Sequence, residues 1–124
     1  MPNVVGRKPV VLVVEDEALL RMNAVDIVHQ AGFAVIEAST ADEAIEILEA
    51  RDDISVVFTD IQIPGSMDGL KLARAVRGRW PPIQIIATSG RVRVSEKDLP
   101  EGGRFLPKPY TTHQVTRLLL EMTS

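Results

Sequence analysis

The stretch Val10-Val11-Leu12-Val13-Val14-Glu15-Asp16-Glu17 (VVLVVEDE, residues 10–17) decides how this chain folds. Five apolar residues without polar alternation describe a strand covered on both faces, the pattern of a parallel sheet. Glu15, Asp16 and Glu17 follow at once. Carboxylates crowded at a strand end repel one another, so a cation is expected to meet them.

Outward from this strand, apolar runs and helical stripes alternate. Leu20, Ala24, Ile27, Val28 and Ala31 share one helical stripe, and Gly32 supplies its stop. Residues 34–38 read as a second strand. Thr40 with Glu43 forms a capping box ahead of a helix burying Ala41, Ala44, Ile45 and Leu48. A third strand over residues 56–59 leads through a polar loop to Gly69 and a helix with Leu72, Ala73 and Val76 inward, ended by Trp80-Pro81-Pro82. Residues 83–88 form the fourth strand and Phe105 with Leu106 the fifth. Val115, Leu118, Leu119 and Met122 mark the last helix.

Residues 91–103 break this rhythm, with two valines, a lone leucine, a proline and many charges. They predict a short or irregular fourth helix. Otherwise the βα alternation predicts an α/β fold, a parallel sheet with right-handed crossovers and helices on both faces. Ligands in such folds bind at the carboxyl ends of the strands.

Composition narrows the function. The 124 residues suit one domain, residues 9–124, behind a tail over residues 1–8. A net charge of −3 argues against a nucleic-acid binder working through an overall positive field. No cysteine is present, which removes disulfides, thiolate metal sites and thiol nucleophiles and makes the cytoplasm the expected location. No run approaches the length of a membrane span.

Four of the five strands end in chemically capable residues: Glu15 and Asp16 after the first, Asp60 after the third, Ser89 after the fourth and Lys108 after the fifth. In a parallel sheet these ends share one edge, so residues distant in sequence converge. By itself the Glu15-Asp16 pair reads as the start of a helix, and Lys108 or Ser89 as a loop residue. Together they describe a phosphoryl-transfer site. Oxygen ligands from Glu15, Asp16 and Asp60 suit Mg²⁺, and zinc is disfavoured because neither His29 nor His113 ends a strand. Asp60 can attack phosphorus, Ser89 and Lys108 can meet phosphoryl oxygens, and Gly90 leaves the approach open. Lys71, Arg74, Arg77 and Arg79 read as the solvated face of the third helix, with Arg91 and Arg93 in the irregular segment.

VLVVEDE, VVFTDIQIPGSMDGL, IIATSG and FLPKPY, in that order, resemble the receiver domain of two-component response regulators, the CheY-like, flavodoxin-like class. The resemblance covers roughly residues 9–123 and implies a doubly wound five-stranded sheet of order 2-1-3-4-5. It implies that Asp60 accepts a phosphoryl group from a histidine kinase or histidine phosphotransfer protein, with Mg²⁺ as cofactor. Asp16 then matches a direct metal ligand, Glu15 a ligand through water, and Gln62 a ligand through its backbone carbonyl. Ser89 and Phe105 match the switch positions, Lys108 the site lysine, and Lys108–Pro109 a cis peptide. Output through contacts with a downstream protein, and possible homodimerisation, are implied as well, with no direct contact to nucleic acid or membrane.

Three features depart from the pattern: the PGSMDG loop holds one extra residue, Phe105 lacks the frequent tyrosine hydroxyl, and the segment before Phe105 is shortened. Two other functions compete. A haloacid-dehalogenase-like phosphohydrolase would use Asp60 as nucleophile, but Gln62 stands where those enzymes carry a second aspartate. A phosphorylation-independent adaptor of the same fold would use protein contacts alone.

Overall fold

The computed structural model describes residues 8–65, 67–90 and 95–123. Elements β1 (Val10–Val14), α1 (Ala18–Gln30), β2 (Ala34–Ala38), α2 (Ala41–Ala50), β3 (Ile54–Asp60), α3 (Gly69–Arg79) and β4 (Gln84–Ser89) follow the expected alternation. A single 3-10 turn over Glu96–Asp98 precedes β5 (Arg104–Pro107), and α4 (Thr112–Thr123) closes the order. The strands form one parallel sheet of order β2-β1-β3-β4-β5. This is the doubly wound, flavodoxin-like arrangement, and β1 lies beside β3 at the point where the strand order reverses.

Period-two alternation divides each central strand between two cores. Leu12, Val14, Val57 and Ile85 pack with Ala44 and Leu48 of α2 and Leu72 and Val76 of α3. Val11, Val13, Val56, Phe58 and Ile86 pack on the other face with Ala24 and Val28 of α1 and Val115 and Leu119 of α4. Burial on both faces is why β1 reads as an unbroken apolar run.

Local chemistry sets the helix ends. Thr40 Oγ1 accepts from the Glu43 N–H at 3.1 Å, as expected of a cap, but the Glu43 carboxylate reaches back to the Ser39 N–H at 2.7 Å. The box is thus displaced by one residue on its return side. Asp68 caps α3 by accepting from the Lys71 N–H. Gly32 follows α1 at φ 98°, a left-handed conformation that favours glycine.

Leu20 departs from the expected buried stripe. It is 37% exposed, and the inward face of α1 consists of Ala24, Ile27 and Val28. The first turn of α1 overhangs the end of the sheet, so Leu20 lines the clefts above the strand ends instead of the core. Arg77 departs from the expected solvated face: it is partly buried, and its guanidinium donates to the carbonyls of Pro81 and Ile83. The Trp80-Pro81-Pro82 turn leaves carbonyls without the usual backbone partners, and Arg77 satisfies them. Lys71, Arg74 and Arg79 are exposed as expected.

The fourth crossover carries no α-helix among its described residues. Ser95 caps the Glu96–Asp98 turn, and Leu99, 7% exposed, supplies the apolar contact by packing with Ile61, Ala87, Leu70 and Phe105. Glu96 Oε2 accepts from Arg104 Nε at 3.1 Å and from the Phe105 N–H at 3.2 Å, so one carboxylate covers the outer edge of β5. Arg91, Arg93 and residues 1–7 of the expected tail lie outside the described residues, as does Ser66 of the loop with the extra residue.

Candidate functional site

The carboxyl ends of β1, β3, β4 and β5 bring Glu15, Asp16, Asp60, Ser89 and Lys108 to one edge. Glu15 is 4% exposed and Asp60 6%, whereas Asp16 is open to solvent. One carboxylate oxygen from each of the three lies within 4.8 Å of the others. Lys108 supplies the cation expected from the sequence. Its Nζ donates to Glu15 Oε1 at 2.7 Å and to Asp60 Oδ2 at 2.8 Å, across 93 and 48 residues of sequence.

Each buried oxygen has a further reason for its place. Glu15 Oε2 accepts from the Glu17 N–H at 3.2 Å and Asp60 Oδ1 from the Gln62 N–H at 3.0 Å. Burial pushes the Glu15 carboxyl above its ordinary value, the Asp60 charge adds to the rise, and Lys108 and the Glu17 N–H oppose it. For Lys108 burial disfavours the ammonium, but hydrogen bonds to Asp60 and Glu15 outweigh it and hold the pKa above the ordinary lysine value. Burial raises the Tyr110 hydroxyl too; its ring packs on Phe58, with centroids 5.6 Å apart.

An open cleft of about 300 Å³ sits over this cluster, lined by Asp16, Leu20, Asp60, Gln62, Gly90 and Lys108 among others. Three oxygen donors, two on buried residues and one on an exposed residue, fit a hard divalent cation such as Mg²⁺ that keeps several waters. Gly90 borders Lys108, and a Cβ there would meet the Lys108 Cβ at an ordinary 3.5 Å. Ser89 is buried, and its hydroxyl donates over 3.5 Å to the Gln62 side-chain Oε1. Phe105 is half-buried against Leu99 and its neighbours. The Lys108–Pro109 peptide is cis. His29 and His113 are exposed on helices.

Two contributions escaped the reading of strand ends. Besides the backbone carbonyl that the resemblance singles out, Gln62 uses its N–H to hold Asp60 and its side chain to meet Ser89. Gly69 begins α3 directly against the backbone of Asp60 and Ile61, and its N–H donates to the Ile61 carbonyl at 2.9 Å. A glycine at a helix start was the only local signal, and it did not say what lay against it.

Residues 11–119 match the family model described as response regulator receiver domain. The chain is 36% identical over 116 residues to the sensor kinase CckA of Brucella abortus, covering 90% of this chain and 12% of that protein. It is 30% identical over 112 residues to the response regulator protein FleR of Pseudomonas aeruginosa, covering 88% of this chain and 23% of that protein. The chain thus spans less than a quarter of either relative's length. Among solved structures, a response regulator receiver protein from Sinorhizobium medicae superposes with a TM-score of 0.86 at 28% identity, covering 93% of this chain and 94% of that one. The receiver domain of the hybrid histidine kinase CckA gives 0.79 at 28% identity, covering 93% and 99%.

Proposed function

The chain belongs to the response regulator receiver domain family of two-component signalling, and from that premise we propose that Asp60 accepts a phosphoryl group in a Mg²⁺-dependent reaction. The observation that carries this reading is the convergence of Glu15, Asp16 and Asp60 within 4.8 Å, with Lys108 bridging two of them. An Asp60 carboxylate oxygen attacks phosphorus, the bond from phosphorus to the donor's imidazole nitrogen breaks, and an acyl phosphate forms. Mg²⁺, when bound, would offset the negative charge of the carboxylates and the transferred group.

Glu15, Asp16 and Asp60, with the Gln62 carbonyl, would hold the cation, Asp16 as a direct ligand and Glu15 through water. Lys108 pairs with a phosphoryl oxygen once it is released from Asp60. Ser89 turns toward the same group, leaving Gln62, and Phe105 follows it as the second switch position. Gly90 keeps the approach clear. Residues 9–124 form the functional domain and residues 1–8 a tail. The donor is a histidine kinase or histidine phosphotransfer protein in the cytoplasm, and the output is altered contact with a downstream protein or a second copy of the chain.

Incubation with Mg²⁺ and acetyl phosphate or phosphoramidate is expected to add one phosphoryl mass to the wild type and none to Asp60→Asn. A wild type that stays unlabelled, or a label that persists in the variant, would overturn the assignment. Many cycles of phosphate release from a small phosphoester would favour the hydrolase instead. Partner binding that ignores both the donor and Asp60→Ala would favour the adaptor.

A further inference from the structure

Thr88 is 3% exposed, and its Oγ1 has no hydrogen-bond partner among the described residues. It stands opposite Asp60 in the β3–β4 register and opposite Leu106 in the β4–β5 register. Strand alternation places it on the face that carries Phe58 and Ile86, beneath the acidic pair. A hydroxyl in such a place is costly, because it has surrendered its hydrogen bonds to water without replacement. Valine would fill nearly the same volume without that cost.

The surroundings supply a reason for the hydroxyl. A small, partly open cavity of about 10 Å³ lies here, its walls including Val13, Glu15, Phe58, Asp60, Thr88 and Tyr110. That space admits one water and nothing larger. Engineered apolar cavities stay dry, but this one has a hydroxyl, two carboxylates and a tyrosine in its walls. On Glu15 and Asp60 every carboxylate oxygen accepts a protein hydrogen bond, yet each retains a second lone pair. A donor beneath them would limit their movement.

We propose that one water is bound in this cavity, accepting from Thr88 Oγ1 and donating to the Glu15 and Asp60 carboxylates, so that Thr88 positions the acidic pair from below. Thr88 acts through the water and touches no reacting atom. No titration is required, and the water is part of the resting protein. The consequence for function is indirect: orientation of the carboxylates by an outer partner tightens whatever cation they hold.

Crystal structures of the wild type, Thr88→Val and Thr88→Ser at high resolution, with Mg²⁺ affinities by calorimetry, test the proposal. One ordered water is expected in the wild type and in Thr88→Ser, and none in Thr88→Val. Thr88→Val should bind Mg²⁺ about tenfold more weakly, and Thr88→Ser should restore the affinity. A dry wild-type cavity, a water retained in Thr88→Val, or unchanged Mg²⁺ affinity in that variant would overturn it. The affinity readout alone rests on the metal reading above. A wild type that binds no Mg²⁺ sinks that reading and also the role in positioning a cation, whereas a dry cavity sinks the proposal for Thr88 and leaves the metal reading standing.

Discussion

Gly69 is packed directly against Asp60: a Cβ on Gly69 would stand 2.1 Å from the Asp60 carbonyl oxygen and 2.6 Å from the Ile61 Cα. The obstructing atoms are backbone, so no side-chain rotation makes room. Gly69→Ala is therefore expected to shift the end of β3 and to cost about 2 kcal/mol or more of stability, read from urea melts. Acyl-phosphate formation by acetyl phosphate should slow in the same variant, because the displaced backbone carries Asp60.

Two buried carboxylates share one ammonium, and the Asp60 charge contributes to the raised pKa of Glu15. Asp60→Asn removes that charge while keeping the shape. The metal-free variant should be more stable than the wild type, by on the order of 1 kcal/mol. Thermal melts in chelator check this, and addition of Mg²⁺ should raise the melting temperature of the wild type more than that of the variant.

Asp16 and Glu17 are adjacent acids with different expected duties. Asp16 offers an oxygen to the acidic cluster, whereas Glu17 is the N-cap residue of α1, and its N–H braces Glu15. Asp16→Asn should weaken Mg²⁺ binding about tenfold or more, and Glu17→Gln should leave it within about twofold. Calorimetric titration separates the two, and equal losses would cancel the division of roles.

Lys108 has a folded pKa above its ordinary value because its bonds to Asp60 and Glu15 outweigh burial, so its contribution has a defined pH window. That stability is fully present below the ordinary lysine pKa of about 10.4 and is lost as pH rises through the higher folded value. At pH 7.5 without metal, Lys108→Met should be less stable than the wild type by about 2 kcal/mol, because it leaves two carboxylates without a cation. The difference should narrow in denaturant melts carried from pH 9 upward past pH 10.5.

Glu96 covers the outer edge of β5 by accepting from Arg104 Nε and the Phe105 N–H on an edge strand. Glu96→Ala should cost about 1 kcal/mol. Hydrogen exchange at the Phe105 amide should accelerate while the Phe58 amide, in a central strand, keeps its protection. Equal acceleration at both would mean that the whole sheet opens and that Glu96 holds no local edge.

The reach of sequence reading differs from residue to residue. Val10–Val14 could be recognised as a strand because its burial on two faces is a property of the stretch itself, and the polar residues after each strand could be placed on one edge because parallel strands share a direction. Shared strand direction brings Glu15, Asp60 and Lys108 to that edge, and packing of the side chains then sets the bonds between them. Leu20 and Arg77 resisted, since a helical stripe says which side chains align but not where the sheet beneath it ends or which carbonyls a turn leaves open.

Sequence alone therefore determined the order of the elements, a parallel sheet with helices on both faces and the set of chemically capable residues at the strand ends. Those follow from periodicity and strand direction, which are local. Tertiary structure alone decided that Lys108 meets two carboxylates at once, that Gln62 reaches Ser89, that Gly69 lies against Asp60 and that Thr88 Oγ1 has no partner among the described residues beside a small cavity. The reason is that the direction of a long polar side chain, and the space left beside a small one, are set by neighbours that packing brings from distant parts of the chain.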